Sequence, residues 1–316
     1  GNHDDSPNLN YSYHFNTDNS FKSNAKIKPQ FDGITYSFVY GDVLFLVYSH
    51  QDYWKGQYNI LSGTCEYLQN DVAQWMRREV AKHPNTKWRV ALVHKNLFCG
   101  SGHQIDEESQ LFRAILMPVF KELHIDLALQ GHDHTYEVIG PVNPEDKTPL
   151  LADISGVKTV EQDASTNMTG KEGGTFRTDN GTLYFVGATC GRKRYYPYSK
   201  EEMDANYDKT KVANYYDLFT GKFGQPGAPA YTEITVNADS MVVSTYKTSV
   251  FKTRQLYDEI VIKRNADNTY LDIHTLPAET QNDVFKTLYK GQLLIAKGQD
   301  FYDILGRKYS REELEQ

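Results

Sequence analysis

Residues 34–40 and 43–48 are two β-rich runs joined by Gly41-Asp42, which is the pattern of a hairpin. The second run, Val-Leu-Phe-Leu-Val, has no polar position, so a strand covered on both faces is expected. From 66 to 81 the period lengthens. Leu68, Val72, Trp75, Met76 and Val80 recur every three or four residues and predict an amphipathic helix, stopped by His83-Pro84-Asn85. Residues 88–93 read as a short buried strand and 94–107 as a loop. Leu111, Ile115, Leu116, Val119 and Leu123 then form a second helical face, in which Pro118 predicts a kink or a later start. Residues 125–129 are another apolar strand, ending at Gly131. Strand, helix, strand, helix, strand in this order predicts an α/β layered fold with its central strands buried between layers.

Beyond Gly140 the pattern loosens. Residues 141–180 read as loop, 183–186 as a strand, and 192–230 as a long polar, Tyr-rich excursion. Runs at 231–236 and 241–246 alternate around Asn237-Ala238-Asp239-Ser240 and predict a second hairpin. Residues 259–262 add a strand. After a polar piece at 264–287, the runs 292–296 and 301–305 predict a third hairpin as a small appendage.

Composition narrows the function classes. The chain has 316 residues and a formal net charge of −7. Mild acidity argues against a nucleic-acid or anionic-membrane binder, which needs a basic face. No run approaches the ~18 apolar residues of a membrane-spanning helix. Three cysteines (Cys65, Cys99, Cys190) are too few for a disulfide scaffold. The 23 tyrosines suit strand faces and pocket walls.

Histidines carry the candidate chemistry. Gly131-His132-Asp133-His134 directly follows an apolar strand. Two imidazoles in an extended loop at a strand's carboxyl end can face one cleft and suit Zn, Fe, Mn or Cu. Two solvated loop histidines are the plainer reading of the same spacing. His94 ends the strand 88–93 in the same way; alone it also fits a satisfied histidine near the core. Gly1-Asn2-His3-Asp4 offers an amide oxygen, a proton donor and a carboxylate to hold that donor, though in isolation it is only a polar segment.

In this order and with these strand contexts, the three segments resemble the calcineurin-like metallophosphoesterase superfamily. Tyr136-Glu137, and Gly181-Thr182-Leu183-Tyr184-Phe185-Val186 running into Ala188-Thr189-Cys190-Gly191, look like its purple acid phosphatase branch. The resemblance implies a β-sandwich flanked by helices over residues 1–264, with 265–316 as linker and small C-terminal β-hairpin segment. It implies two divalent or trivalent metal ions (Fe, Zn or Mn) that clamp a phosphate. Asn2, His94 and His132 would ligate one ion and His134 the other. His3, oriented by Asp4, would contact the phosphoryl group or protonate the leaving oxygen, and His103 would share that task. The implied activity is hydrolysis of a small-molecule phosphate mono- or diester by a metal-activated hydroxide. Arg192 and Lys193 are within reach of a substrate anion by sequence, though a solvated loop also accounts for them.

The family's two earlier signature blocks, Asp-x-His (or Asp-x-Gly) and Gly-Asp-x-x-Asp (or Tyr), do not occur ahead of Gly1-Asn2-His3-Asp4. They supply the bridging carboxylate and most ligands of one metal. The expectation is therefore an N-terminally incomplete catalytic domain, lacking its first strands, with weak or no activity of its own. A non-catalytic binding module of the cell envelope is the competing reading. By family analogy the chain is expected to be secreted, periplasmic or in the cell envelope.

Overall fold

The computed structural model describes residues 35–49, 58–59, 64–104, 106–144, 157–159, 174–210, 216–248, 253–264, 284–289, 292–297, 300–303 and 308–309. Strands β1 (Tyr36–Tyr40) and β2 (Val43–Val47) form the expected hairpin. Two short strands, β3 (Tyr58–Asn59) and β4 (Thr64–Cys65), pair with each other ahead of the first helix. Helix α1 (Ala73–Lys82) is entered through a π-helical segment, Tyr67–Val72, and buries Trp75, Met76 and Val80 as their spacing predicts. Strand β5 (Trp88–Leu92), helix α2 (Glu107–Glu122) and strand β6 (Leu127–Gln130) follow.

Helix α2 removes one of the two expectations at Pro118: it spans Glu107–Glu122 through the proline, so there is no later start. A proline inside a helix costs about 3 kcal/mol. Leu111, Phe112, Leu116, Met117, Val119, Phe120 and Leu123 of this segment are all buried in the core. Each buried large apolar side chain is worth about 1.5–3 kcal/mol, so their sum outweighs the proline.

The region after Gly140 is also more ordered than its pattern suggests. Strand β7 (Tyr136–Pro144) crosses Gly140-Pro141 and pairs with β8 (Val157–Thr159). Strands β9 (Gly174–Arg177) and β10 (Thr182–Gly187) lie beyond. Residues 145–156 and 160–173 of the expected loop lie outside the described residues. The expected excursion at 192–230 contains helix α3 (Lys200–Thr210) and strand β11 (Phe219–Gly224). Strands β12 (Ala230–Val236), β13 (Ser240–Thr248) and β14 (Arg254–Lys263) include the predicted second hairpin. The predicted third hairpin is the β16 (Gln292–Lys297) and β17 (Asp300–Asp303) pair. Strands β15 (Val284–Tyr289) and β18 (Lys308–Tyr309) extend it to four strands.

The first large sheet has the order β1-β2-β5-β6-β10-β7-β11, with β8 on β7; the second has the order β12-β13-β14-β9. Strands β2, β5, β6 and β10 are parallel neighbours. Side chains alternate across this sheet, as strand geometry requires. Val90, Leu127, Leu183 and Phe185 meet Phe176, Met241, Val243, Ile260 and Ile262 of the second sheet. Ala91, Ala128 and Tyr184 point the other way, into the core with α1 and α2. The layers are helices, sheet and sheet, a mixed α/β sandwich with helices on its outer face.

A polar cluster ties the two sheets near the start of β5 and β6. Asp126 accepts from the Arg89 backbone N–H (2.9 Å) and the Thr178 hydroxyl (2.9 Å), and lies 3.6 Å from an Arg264 nitrogen. Arg264 also covers the Trp88 ring at 4.7 Å, and the Trp88 indole N–H donates to the Asn237 carbonyl at 3.0 Å. Burial pushes Asp126 up to about 6 and Arg89 down to about 9.

Candidate metal centre

Two parallel neighbours deliver their carboxyl ends to one place. Beyond the paired residues Leu92 and Leu129, the Val93 N–H donates to Leu129 O (3.0 Å) and the Gly131 N–H to His94 O (2.9 Å). Residue 131 is glycine because a Cβ there would stand 3.2 Å from both His94 Nδ1 and His94 O. His132 then turns with φ +66°, a left-handed conformation that L side chains pay to adopt. Such strain persists where packing fixes it and gathers at functional sites. The turn aims the His132 ring at His94: Nδ1 of His132 is 3.3 Å from Nε2 of His94, with the rings inclined at 69°.

That spacing tests whether a metal fits. Two nitrogens bound at about 2.0–2.1 Å to one tetrahedral ion lie about 3.3 Å apart. The ring of His132 is also kept neutral, as a ligand must be. Burial, with the neighbouring His103, His94, Lys95 and His134, holds it down to about 3. His134 is set by a different device. Its Nδ1 donates to the Lys193 backbone carbonyl at 3.0 Å, which leaves Nε2 with the lone pair. Tyr195 stacks on the His134 ring at 4.9 Å and 18°. The Gln225 amide donates to both the His134 and the Tyr195 carbonyls, each at 2.7 Å.

His103 joins the same cluster, stacked on His132 at 3.7 Å. Its Nδ1 donates to Asp106 Oδ2 at 2.9 Å. His103, Asp106 and His132 also offer ligand atoms within 4.8 Å of one another. The His103 and His132 rings are inclined by only 28°, however, so their in-plane lone pairs run side by side rather than converging. With Nδ1 committed to Asp106, His103 is better placed to face a bound anion than to share a metal with His132.

The loop that carries His103 is anchored from below. Asp133, 1% exposed, accepts the Ser101 N–H at 2.9 Å and the His103 N–H at 3.4 Å. Glu137 accepts the Gly100 N–H at 3.0 Å and the Thr135 hydroxyl. Burial raises both carboxyls above their ordinary range, and Asp133 raises Glu137 further.

The structure thus gathers His94, His103, His132 and His134. Asn2, His3 and Asp4 lie outside the described residues. Asp106 sits three residues after His103, a spacing readable in sequence. Gln225 is 91 residues from His134, and the Lys193 contact is made by backbone, so neither leaves a sequence signal.

The calcineurin-like phosphoesterase family model matches residues 1–136, which include the three motif segments. Two uncharacterized proteins of Mycobacterium tuberculosis, one from each of two strains, are 23% identical over 165 residues. The match covers 49% of this chain and 30% of each relative, so the chain spans under a third of their length. A purple acid phosphatase isolated from yellow lupin (Lupinus luteus) seeds superposes with a TM-score of 0.48 at 16% identity, covering 83% of this chain and 38% of that one. The three motif segments thus all fall within the part of the chain, just under half of its 316 residues, that the calcineurin-like phosphoesterase family model matches.

Proposed function

We propose that the chain carries the histidine half of a phosphoesterase centre that hydrolyses phosphate mono- or diesters of small molecules, in the manner of the purple acid phosphatase branch. The observation that carries this reading is the His94–His132 pair, two imidazole nitrogens at metal-sharing distance on adjacent parallel strand ends. Bound ions of the Fe, Zn or Mn type supply positive charge that draws electron density from the phosphoryl oxygens and make water more acidic. His94 Nε2 and His132 Nδ1 would hold one ion, with Asn2 as the expected third ligand. His134 Nε2 would reach the other.

The remaining side chains orient and protonate. Asp106 holds the Nδ1–H of His103, so a charged His103 keeps its transferable proton at Nε2. Stacking on His132 keeps that ring at the centre rather than in solvent. From there His103 contacts a phosphoryl oxygen or protonates the departing alkoxide, the task also expected of His3 with Asp4. An exported or cell-envelope setting is the part of the proposal that rests on family analogy alone.

The test pairs metal analysis with turnover. Purified chain dialysed against Zn2+ or Mn2+ should retain metal and release p-nitrophenol from p-nitrophenyl phosphate. His132→Ala should lose both properties. Retained metal with no turnover under any loading favours the binding-module reading. Absence of metal retention in the unaltered chain overturns the proposal.

A further inference from the structure

Arg192-Lys193-Arg194 is the one run of three consecutive basic residues in a chain whose net charge is −7. Arg192 and Lys193 are exposed, on an irregular segment whose backbone is tied to the candidate metal centre. The Lys193 carbonyl holds His134, Tyr195 stacks on the same ring, Gln225 clamps the His134 and Tyr195 carbonyls together, and the Tyr198 N–H donates to Gly100 O at 2.7 Å. These contacts lock the backbone of 193–198 to the candidate metal centre.

Among the described residues, the three basic side chains have no acidic partner: none of Arg192, Lys193 and Arg194 forms an ion pair, and the Nε of Arg194 is buried with no hydrogen-bond partner. The Lys193 ammonium lies 5.0 Å from the Tyr195 ring, one ring away from His134. The nearby acids of α3 are engaged elsewhere: Glu202 accepts the Ser199 N–H and Asp204 pairs with Lys200. A guanidinium stays charged at any working pH and fits phosphate or carboxylate oxygens bidentately. Three basic side chains without an acidic partner among the described residues thus issue from a backbone held against the His134 side of the centre.

We propose that Arg192, Lys193 and Arg194 form a second anion subsite, which receives a further phosphate or carboxylate of the substrate. The preferred substrate class is then a phosphate ester carrying a second anionic group, rather than a singly charged alkyl or aryl phosphate. This rests on the phosphoesterase reading and names the substrate class for the same centre.

Two non-hydrolysable probes test it. Methylphosphonate has one anionic group; phosphonoacetate adds a carboxylate. Both are titrated calorimetrically into the full chain loaded with Zn2+. Phosphonoacetate should bind about five- to tenfold more tightly. In the Arg192→Ala/Lys193→Ala double variant, which keeps the Lys193 carbonyl on His134, that preference should fall below about twofold. Methylphosphonate and Zn2+ affinities should be unchanged. Equal binding of the two probes to the unaltered chain overturns the inference and leaves the phosphoesterase reading standing. A preference that survives in the variant, or a variant that loses Zn2+ affinity, overturns it as well. Failure of both probes to bind the Zn2+-loaded chain overturns both.

Discussion

His132 is asked to do two incompatible things. Its side chain must face His94, and its backbone must adopt φ +66° to let it do so. The left-handed conformation costs an L-residue about 1–2 kcal/mol and a glycine almost nothing. Two variants separate these effects. His132→Ala and His132→Gly should both lower Zn2+ affinity by at least about a hundredfold in calorimetric titration, since each removes a ligand that second-shell changes alone weaken about 10–100-fold. In metal-free urea unfolding, however, His132→Gly should be the more stable of the two by about 1 kcal/mol. Equal stability would mean that the turn is not strained. His94, His132 and His134 are legible in the sequence because strand ends and a two-residue spacing suffice to place them. Asp133 and Glu137 are not, because their role is to accept backbone N–H groups of residues 100–103, and any loop presents those.

Among the elements, the clearest lesson is in what surrounds each helix. The period of α1 is visible because Trp75, Met76 and Val80 share one buried face. Helix α3 escapes notice because its sequence, KEEMDANYDKT, offers no repeating apolar position; among its residues with described burial, Met203 alone is fully buried. Strand β7 was obscured by Gly140-Pro141, which reads as a break in isolation. The strand continues because β10 and β11 flank its Tyr136–Ile139 part and β8 pairs with Val142–Pro144. Helix α2 shows packing overriding a local penalty, and that can be measured. Pro118→Ala restores a helical N–H and relieves the ring's clash, worth about 3 kcal/mol, while freeing the unfolded chain costs about 1 kcal/mol. A net gain of about 1–2 kcal/mol in urea unfolding is expected. Leu116→Ala, by contrast, should cost about 2–5 kcal/mol, since Leu116 is fully enclosed. No gain in Pro118→Ala would show that the helix already accommodates the ring without strain.

Across the whole molecule, the two sheets are joined by the apolar layer around Phe176 and Phe185 and by the Asp126 cluster. Asp126 gives that junction a pH dependence. Its folded-state pKa is raised to about 6, chiefly by burial, against about 3.9 unfolded. Between these values the folded state binds more protons than the unfolded one. Stability from this group is therefore present at low pH and is lost as pH rises from about 4 to about 6. Asp126→Asn removes the titration. The unfolding free energy of the unaltered chain minus that of the variant should fall by about 1–3 kcal/mol between pH 4 and pH 7. A difference that stays level over that range would mean that Arg89 and Arg264 already stabilise the carboxylate fully. The sandwich class was legible from the order of strands and helices. This junction was not, because residues 89, 126, 178 and 264 meet only after both sheets have formed.

The hold on His134 by the carbonyl of Lys193 separates two demands that many sites load onto one side chain. A carbonyl is the same whatever residue bears it. The position can therefore exchange Lys for another side chain over evolutionary time, or in a mutant library, while the metal-facing imidazole keeps its tautomer and its aim. On the proposed reading, anion preference along 192–194 is free to drift while the hold on His134 stays in place. Selection for new esters is best started at those three codons.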